Sequence, residues 1–291
     1  MKFTAREPIL KGWSDEKKYR ATDENGVSYL LRVCSPEKKD KKRLEFEMMQ
    51  KAASLGISMC KPVEFGENEE GVYSVQTWID GADAETVVPF LSPDEQYAYG
   101  LDAGRTLSKL HTLPAPKDRP DWETYFNRKI DRKIALYADC PLRYENGDLF
   151  IDFLNRNRHL LKDRPQCFQH GDYHIGNMMI GQNKSLVIID FNRSDFGDPW
   201  EEFNRIVWCA QKCPVFASGM VDGYFPSGIP ERFWRLLALY TAQNTLGSLP
   251  WAIPFGETEI RTMRAQADDL LSWYDGMRRT VPAWYQKREI R

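Results

Sequence analysis

An α+β chain of two unequal lobes, a small strand-rich one followed by a larger and mainly helical one, is what the sequence predicts. Three observations carry that expectation. The first eighty residues alternate short apolar runs with turn residues and hold one helical stretch. From Ser92 onward the apolar residues recur at helical spacing. No internal repeat and no low-complexity linker interrupts the chain. With 291 residues, of which 42% are hydrophobic and 13% aromatic, it can bury a sizeable core as one large domain or as two lobes. The expected boundary lies at Gly81, dividing residues 1–81 from 82–291.

The elements follow in order. YRATDENGVSYLLRV sets an apolar run on each side of Asn25-Gly26, a hairpin signal. In SPEKKDKKRLEFEMMQKAASLGI, Ser35-Pro36 supply a helix start, and Leu44, Met48, Ala52 and Leu55 form its stripe. The charged run from Glu37 to Arg43 reads as the solvated first turns of that helix. CKPVEFG and GVYSVQTWIDG read as two more strands. Tyr99, Ala103, Leu107 and Leu110 then form a helical stripe that Pro114 ends. WETYFNRKIDRKIALYADC is a further helix, and another covers residues near 150–161. Residues 199–291 are mostly helical, with Trp234, Trp251 and Trp273 expected in the core.

Net charge is −2, which exerts no global pull toward nucleic acid or anionic membranes. The opening MKFTAREPIL lacks a hydrophobic signal region, and no uncharged apolar run approaches the roughly 18 residues that span a bilayer. The six cysteines are scattered without a CxxC pair and read as buried reduced thiols, the pattern of a cytoplasmic protein.

The densest chemistry is HGDYHIGNMMI, residues 170–180, followed by VIIDFNRSDFGDPWEE, residues 187–202. NMMI and LVIID read as two short strands joined by Gly181-Gln182-Asn183-Lys184. A hairpin of that length brings Asn177 and Asp190 to the same end. An amide oxygen and a carboxylate meeting there suit a hard cation such as Mg²⁺. Asp172, on the preceding loop, could orient a hydroxyl and accept its proton as a bond forms to phosphorus. Asp198-Pro199-Trp200-Glu201 reads as a helix start with Asp198 as N-cap. His174 reads as a surface residue or a supporting residue of the loop.

An Asp followed by an Asn and then by a second Asp at this spacing resembles the kinase pattern. HGD at the front, together with GDPWEE, resembles the aminoglycoside phosphotransferase and choline-kinase-like family. That resemblance implies a two-lobed protein-kinase-like fold with a nucleotide cleft between the lobes. Residues 1–81 would bind nucleotide, and residues 82–291 would hold the catalytic and substrate-binding groups. By position, Asp172 matches the catalytic Asp, Asn177 and Asp190 the Mg²⁺ ligands, and His170 a structural loop histidine. Gln76-Thr77-Trp78-Ile79 matches the segment whose backbone meets the purine, and Gly12-Trp13-Ser14 the turn that covers the phosphates. Arg32 stands where many kinases have Lys and would pair with Glu45, with Glu47 as the rival partner. Asp190-Phe191-Asn192 replaces the Asp-Phe-Gly of protein kinases.

The function so implied is ATP- or GTP-dependent transfer of a phosphoryl group to a hydroxyl of a small molecule, of which an aminoglycoside is one candidate. A polycationic acceptor calls for an acidic pocket, and Asp195, Glu201, Glu202, Asp268 and Asp269 are the candidates. The expected partner is a small hydroxylated substrate, neither nucleic acid nor membrane. Two other classes compete. One is a catalytically silent, nucleotide-binding scaffold. The other is a metal-dependent hydrolase with His170, Asp172, His174 and Asp190 around zinc. A protein kinase fits less well, because the glycine after Asp190-Phe191 and any APE-like segment are missing.

Overall fold

The computed structural model describes residues 1–10 and 16–288. In chain order the elements are β1 Phe3–Pro8, β2 Lys17–Asp23, β3 Ser28–Cys34, α1 Lys39–Ser54, β4 Pro62–Asn68, β5 Gly71–Thr77, β6 Gly81–Asp83 and α2 Ala84–Val87. There follow α3 Pro93–Leu110, α4 Trp122–Asp139, α5 Asp148–Asn157, β7 Cys167–Gln169, β8 Met178–Gly181, β9 Leu186–Ile188 and β10 Asp195–Gly197. The chain continues with α6 Ile206–Lys212, α7 Pro214–Tyr224, α8 Glu231–Ala252 and α9 Glu257–Trp273. They form two compact units, Met1–Val87 with Gly176–Ser194 and Val88–Ile175 with Asp195–Arg291. The division therefore departs from a single break at Gly81. The physical reason is strand pairing: Gly81–Asp83 forms a strand against β8, which draws the later hairpin into the first unit.

The first unit holds a five-stranded antiparallel sheet in the order β1-β2-β3-β5-β4 and a three-stranded sheet in the order β6-β8-β9. The Asn25-Gly26 hairpin forms as its sequence demands. Asp23 Oδ1 accepts the N–H groups of Asn25 and Val27, both at 2.9 Å, and Gly26 takes φ 78°. Ala21, Leu31, Val33 and Val75 fill the core of the sheet. Helix α1 buries Met48 and Ala52 of its expected stripe but turns Leu44 outward. Its buried residues are Lys42, Glu45, Phe46, Met48, Met49 and Ala52, while Leu44 is 51% exposed.

The second unit is helical, with one two-stranded sheet of β7 and β10. Helix α3 begins with a capping box in which Ser92 and Glu95 satisfy each other's backbone N–H. Its buried face carries Ala103, Leu107 and Leu110 as expected, with Tyr97 in place of Tyr99. Trp234 is buried, whereas Trp251 is 38% exposed and leaves the expected core set. Among the described residues no helix is long and apolar enough to cross a membrane.

Helices α3 and α7 approach backbone to backbone through Gly100, Gly104, Gly219 and Gly223. A Cβ at Gly104 would collide with the Met220 carbonyl oxygen, and one at Gly223 with that of Leu101. Backbone cannot swing aside as a side chain can. Gly104→Val is therefore expected to destabilise the protein by about 1–3 kcal/mol or more through overpacking. Chemical denaturation checks this, and a variant as stable as wild type would show that the helices separate at little cost.

Candidate active site

Strands β8 and β9 pair antiparallel, Met178 opposite Ile188 and Ile180 opposite Leu186. Lys184 takes a left-handed conformation (φ 61°) in the turn and donates its N–H to the Gly181 carbonyl. The pairing runs one step past the strands, since the Ile189 N–H donates to the Asn177 carbonyl at 3.0 Å. Asn177 therefore enters the hairpin at the end from which Asp190 leaves it. Asp190 is itself left-handed (φ 69°, ψ 62°), a conformation that Asp tolerates better than most residues. It leads into buried Phe191, while its own side chain keeps 29% exposure.

Arg32 reaches Asp190 from β3, its Nη2 donating at 2.6 Å. Nη1 donates to Glu16 at 3.1 Å. The other Glu16 oxygen takes Lys42, which also donates to Glu45 at 2.7 Å. Glu45 is thus the glutamate of α1 that turns inward, and Glu47 is exposed. The expected direct pair between Glu45 and Arg32 does not form. Lys42 lies one turn before Glu45 on the same helix face and takes its carboxylate, while Glu16 and Asp190 occupy both terminal nitrogens of Arg32. Lys42 also overturns its own reading as part of a solvated run. Glu37, Asp40, Lys41 and Arg43 are exposed, but Lys42 is only 9% exposed.

The network sets the carboxylates of Glu16, Glu45 and Asp190 against the cations of Arg32 and Lys42. Burial holds the Glu45 carboxyl above its usual range. For Arg32, burial works to lower the pKa, and the Asp190 and Glu16 charges more than offset it. Arg32 Nε is buried and has no partner among the described residues.

The candidate nucleotide residues differ in what they offer. Gln76 is buried, with its Nε2 3.7 Å from Met49 Sδ, so its side chain points toward α1. The Thr77 N–H donates to the Lys61 carbonyl, and its hydroxyl accepts the Lys61 N–H. The ladder ends at Thr77, which leaves the main chain of Trp78 and Ile79 outside it. Arg20 lies over the Trp78 ring at 5.1 Å. Ser14 and the turn it belongs to lie outside the described residues.

In the second unit, β7 runs into a loop fixed at nearly every residue. His170 is fully buried, and its Nδ1 accepts the Asp172 N–H at 3.3 Å. Gly171, at φ 82°, donates its N–H to the Glu202 carboxylate at 2.9 Å. The Tyr173 hydroxyl donates to the Ala103 carbonyl at 2.7 Å, and the Ile175 N–H donates to Cys209 Sγ at 3.3 Å. Asp172 is left partly exposed, with Arg205 Nε 3.2 Å and His174 Nε2 3.8 Å from its Oδ1. Arg205 escaped the sequence reading because nothing in its local spacing marks it. The alternating histidines do not assemble a zinc site. Among the described residues, no group of three or more His, Cys, Asp or Glu is placed to hold a metal.

Asp198 does more than cap. Its Oδ1 accepts the Trp200 N–H at 2.9 Å, but the turn that follows is a 3-10 helix, Glu201–Arg205. Arg164 binds the fully buried carboxylate through both Nε (2.6 Å) and Nη2 (2.8 Å) and lies 3.7 Å over the Trp200 ring. The Tyr240 hydroxyl donates to it as well.

The acidic substrate candidates differ in how far they are already engaged. Glu201 is buried and neutralised by Lys129 at 2.9 Å, and Glu202 is committed to Gly171. Asp195 pairs with Arg119 at 3.3 Å on β10. On α9, Asp268 is exposed and Asp269 accepts from Gln211 at 2.6 Å. Cations thus pair with Glu201 and Asp195, an amide N–H and a glutamine take Glu202 and Asp269, and Asp268 stands exposed.

Comparison with known proteins shows the family and the fold. The sequence model of the phosphotransferase enzyme family matches residues 5–237, and the chain belongs to that family. It is an enzyme of the small-molecule kinase class, with an α+β, protein-kinase-like fold. No curated protein matches the chain by sequence. Among solved structures, it is similar to a mutant aminoglycoside 2′-phosphotransferase IIIa in complex with GDP, at 13% identity and TM-score 0.69, covering 95% of this chain and 94% of that one. It is also similar to a choline/ethanolamine kinase family protein from Mesorhizobium loti, at 17% identity and TM-score 0.65, covering 96% and 92%. A third is the amicoumacin kinase hAmiN with AMP-PNP, Ca²⁺ and Ami, at 15% identity and TM-score 0.66, covering 96% and 90%. At these identities the likeness is one of fold.

Proposed function

We propose that the chain transfers the γ-phosphoryl group of ATP or GTP to a hydroxyl of a small molecule. Two observations, one in each unit, support it best: a loop held around Asp172, and a hairpin that carries Asn177 and Asp190 at one end. In this reading the strand-rich unit takes nucleotide and metal, and the helical unit takes the acceptor. Asp172 accepts the acceptor's hydroxyl proton. Its loop is already held, its backbone by Glu202 and His170 and its Tyr173 hydroxyl by the Ala103 carbonyl. Arg32 offers its orphaned Nε to a phosphate oxygen. The main chain beyond Thr77 meets the base.

The donor set of one amide oxygen and one carboxylate fits a hard divalent cation, and Asn177 and Asp190 would hold Mg²⁺. When bound, the ion neutralises charge on the phosphates. The GDP complex of the similar aminoglycoside enzyme and the AMP-PNP and Ca²⁺ complex of the amicoumacin kinase support nucleotide and divalent-ion use. The six cysteines are free and five are buried, which fits a reducing compartment such as the cytoplasm.

Asp190→Ala is expected to weaken Mg-nucleotide binding more than Asn177→Ala, because a carboxylate brings a full charge and an amide only a dipole. Calorimetric titration of Mg-AMP-PNP into each variant checks the ranking, and unchanged affinity in both removes the metal assignment. The reaction itself is tested by nucleoside diphosphate release from ATP and from GTP across a panel of hydroxylated metabolites and antibiotics. Nucleotide binding without transfer to any acceptor would favour the silent scaffold.

A further inference from the structure

Lys133 is a half-buried ammonium with no carboxylate partner and no hydrogen bond among the described residues. Its neighbours are positive. Burial first, and then the charges of Lys129, Arg132 and Arg205, hold its pKa below the ordinary lysine value. Lys129 is matched by Glu201 and Arg205 by Asp172, so the Lys133 charge is in excess. The fold gives it a slot. A Cβ at Gly247 of α8 would take the space of the Lys133 ammonium and its last methylenes. One turn earlier on the same face of α8, Gln243 is 2% exposed, and its Nε2 is buried without an acceptor among the described residues.

An uncompensated ammonium and an unmet amide donor both cost stability in the free protein. Both lack the same thing, an acceptor oxygen carrying negative charge. Arg205 ties this place to the reaction, since it touches the Asp172 carboxylate and feels the Lys133 charge. We propose that Lys133, Gln243 and Arg205 form an anion subsite for the phosphoryl acceptor, so that the acceptor is a hydroxylated carboxylate or phosphate ester and not a polycation. The acceptor assignment rests on the phosphotransferase reading; the anion subsite stands on its own residues.

Two variants and one probe test it. Thermal unfolding of the full chain is measured in sodium sulfate and in sodium chloride at equal ionic strength. Sulfate stabilises most proteins by exclusion from their surface, so the readout is the difference between wild type and variant. Lys133→Met should melt higher than wild type in chloride and gain less from sulfate. Gly247→Ala keeps the charge, displaces the side chain, and should also gain less from sulfate. Equal gains in all three proteins overturn the subsite. Sodium phosphate and sodium acetate, used the same way, distinguish a phosphate group from a carboxylate. Saturating Mg-AMP-PNP should leave the sulfate difference in place, and its disappearance would assign the subsite to the nucleotide's phosphates instead.

In turnover, each hydroxylated acceptor is offered as the anion and as its neutral amide or alcohol. The anion should be preferred by roughly tenfold or more in kcat/KM, the worth of one good charged contact, and Lys133→Met should narrow the gap. Preference for neutral or polycationic acceptors overturns the acceptor class. Absence of transfer to every acceptor, with the sulfate difference intact, counts against the reaction while supporting the anion subsite.

Discussion

Asp172→Asn should lower kcat by roughly 10²- to 10⁴-fold, the usual cost of losing a general base, while the melting temperature stays near that of wild type. The two halves of that expectation come from different atoms. Asn is nearly isosteric, and the loop is held through the Gly171, Asp172, Tyr173 and Ile175 positions, none of which uses the Asp172 carboxylate. The carboxylate's contacts include the 3.2 Å approach of Arg205 and the 3.8 Å approach of His174. Asn keeps an oxygen for both but cannot take a proton. The substitution also removes one negative charge beside Arg205. KM for an anionic acceptor should therefore fall or hold, and KM for a cationic one should rise. Turnover within about a factor of three of wild type, with folding intact, would show that Asp172 is not the base.

How much of this was legible in the sequence depends on how far each interaction reaches along the chain. The β8–β9 hairpin and its placement of Asn177 and Asp190 follow from a local strand-turn-strand pattern, and the structure forms it. The capping box of α3 is equally local, between Ser92 and Glu95, although the sequence expectation covered only the helical stripe after it. The ion pairs were not. Arg32 meets Asp190 across 158 positions, and Glu16 meets Arg32 across a strand pair. No pattern in either segment announces these partners. Lys42 could have been found, since it stands three residues before Glu45 on one helix face. It was hidden by a run of exposed charges around it, among which only the phase of α1 singles it out. The partners of the acidic residues were hidden for a related reason. A sequence counts carboxylates but does not show which are already neutralised, as Lys129 neutralises Glu201 and Arg119 neutralises Asp195.

Asp198→Ala should cost about 3–5 kcal/mol, the range for breaking a buried ion pair by removing one partner, and lower the melting temperature by on the order of 10 °C. Four groups lose their acceptor at once. Both Arg164 contacts, the Tyr240 hydroxyl and the Trp200 N–H all end on this one carboxylate. The larger loss is electrostatic, because Arg164 stays buried over the Trp200 ring with its charge unmatched. The companion Arg164→Met separates the terms. If the unmatched guanidinium dominates, the double variant Asp198→Ala/Arg164→Met should be more stable than Asp198→Ala alone. If lost hydrogen bonds and the cap dominate, the second substitution should add to the damage. Asp198→Asn should fall between, keeping an oxygen for the Trp200 N–H but no charge for Arg164. The position also bears on the reaction. The Asp198 carbonyl accepts from Gln169 Nε2 at 2.8 Å, and Gln169 immediately precedes the loop His170–Ile175 that carries Asp172. That contact uses main chain and survives the substitution, so the activity of protein still folded at low temperature should fall far less than its melting point suggests. A melting temperature within about 1 °C of wild type would mean that Arg164 and Tyr240 find other partners, and that this carboxylate is not what anchors the turn between β10 and α6.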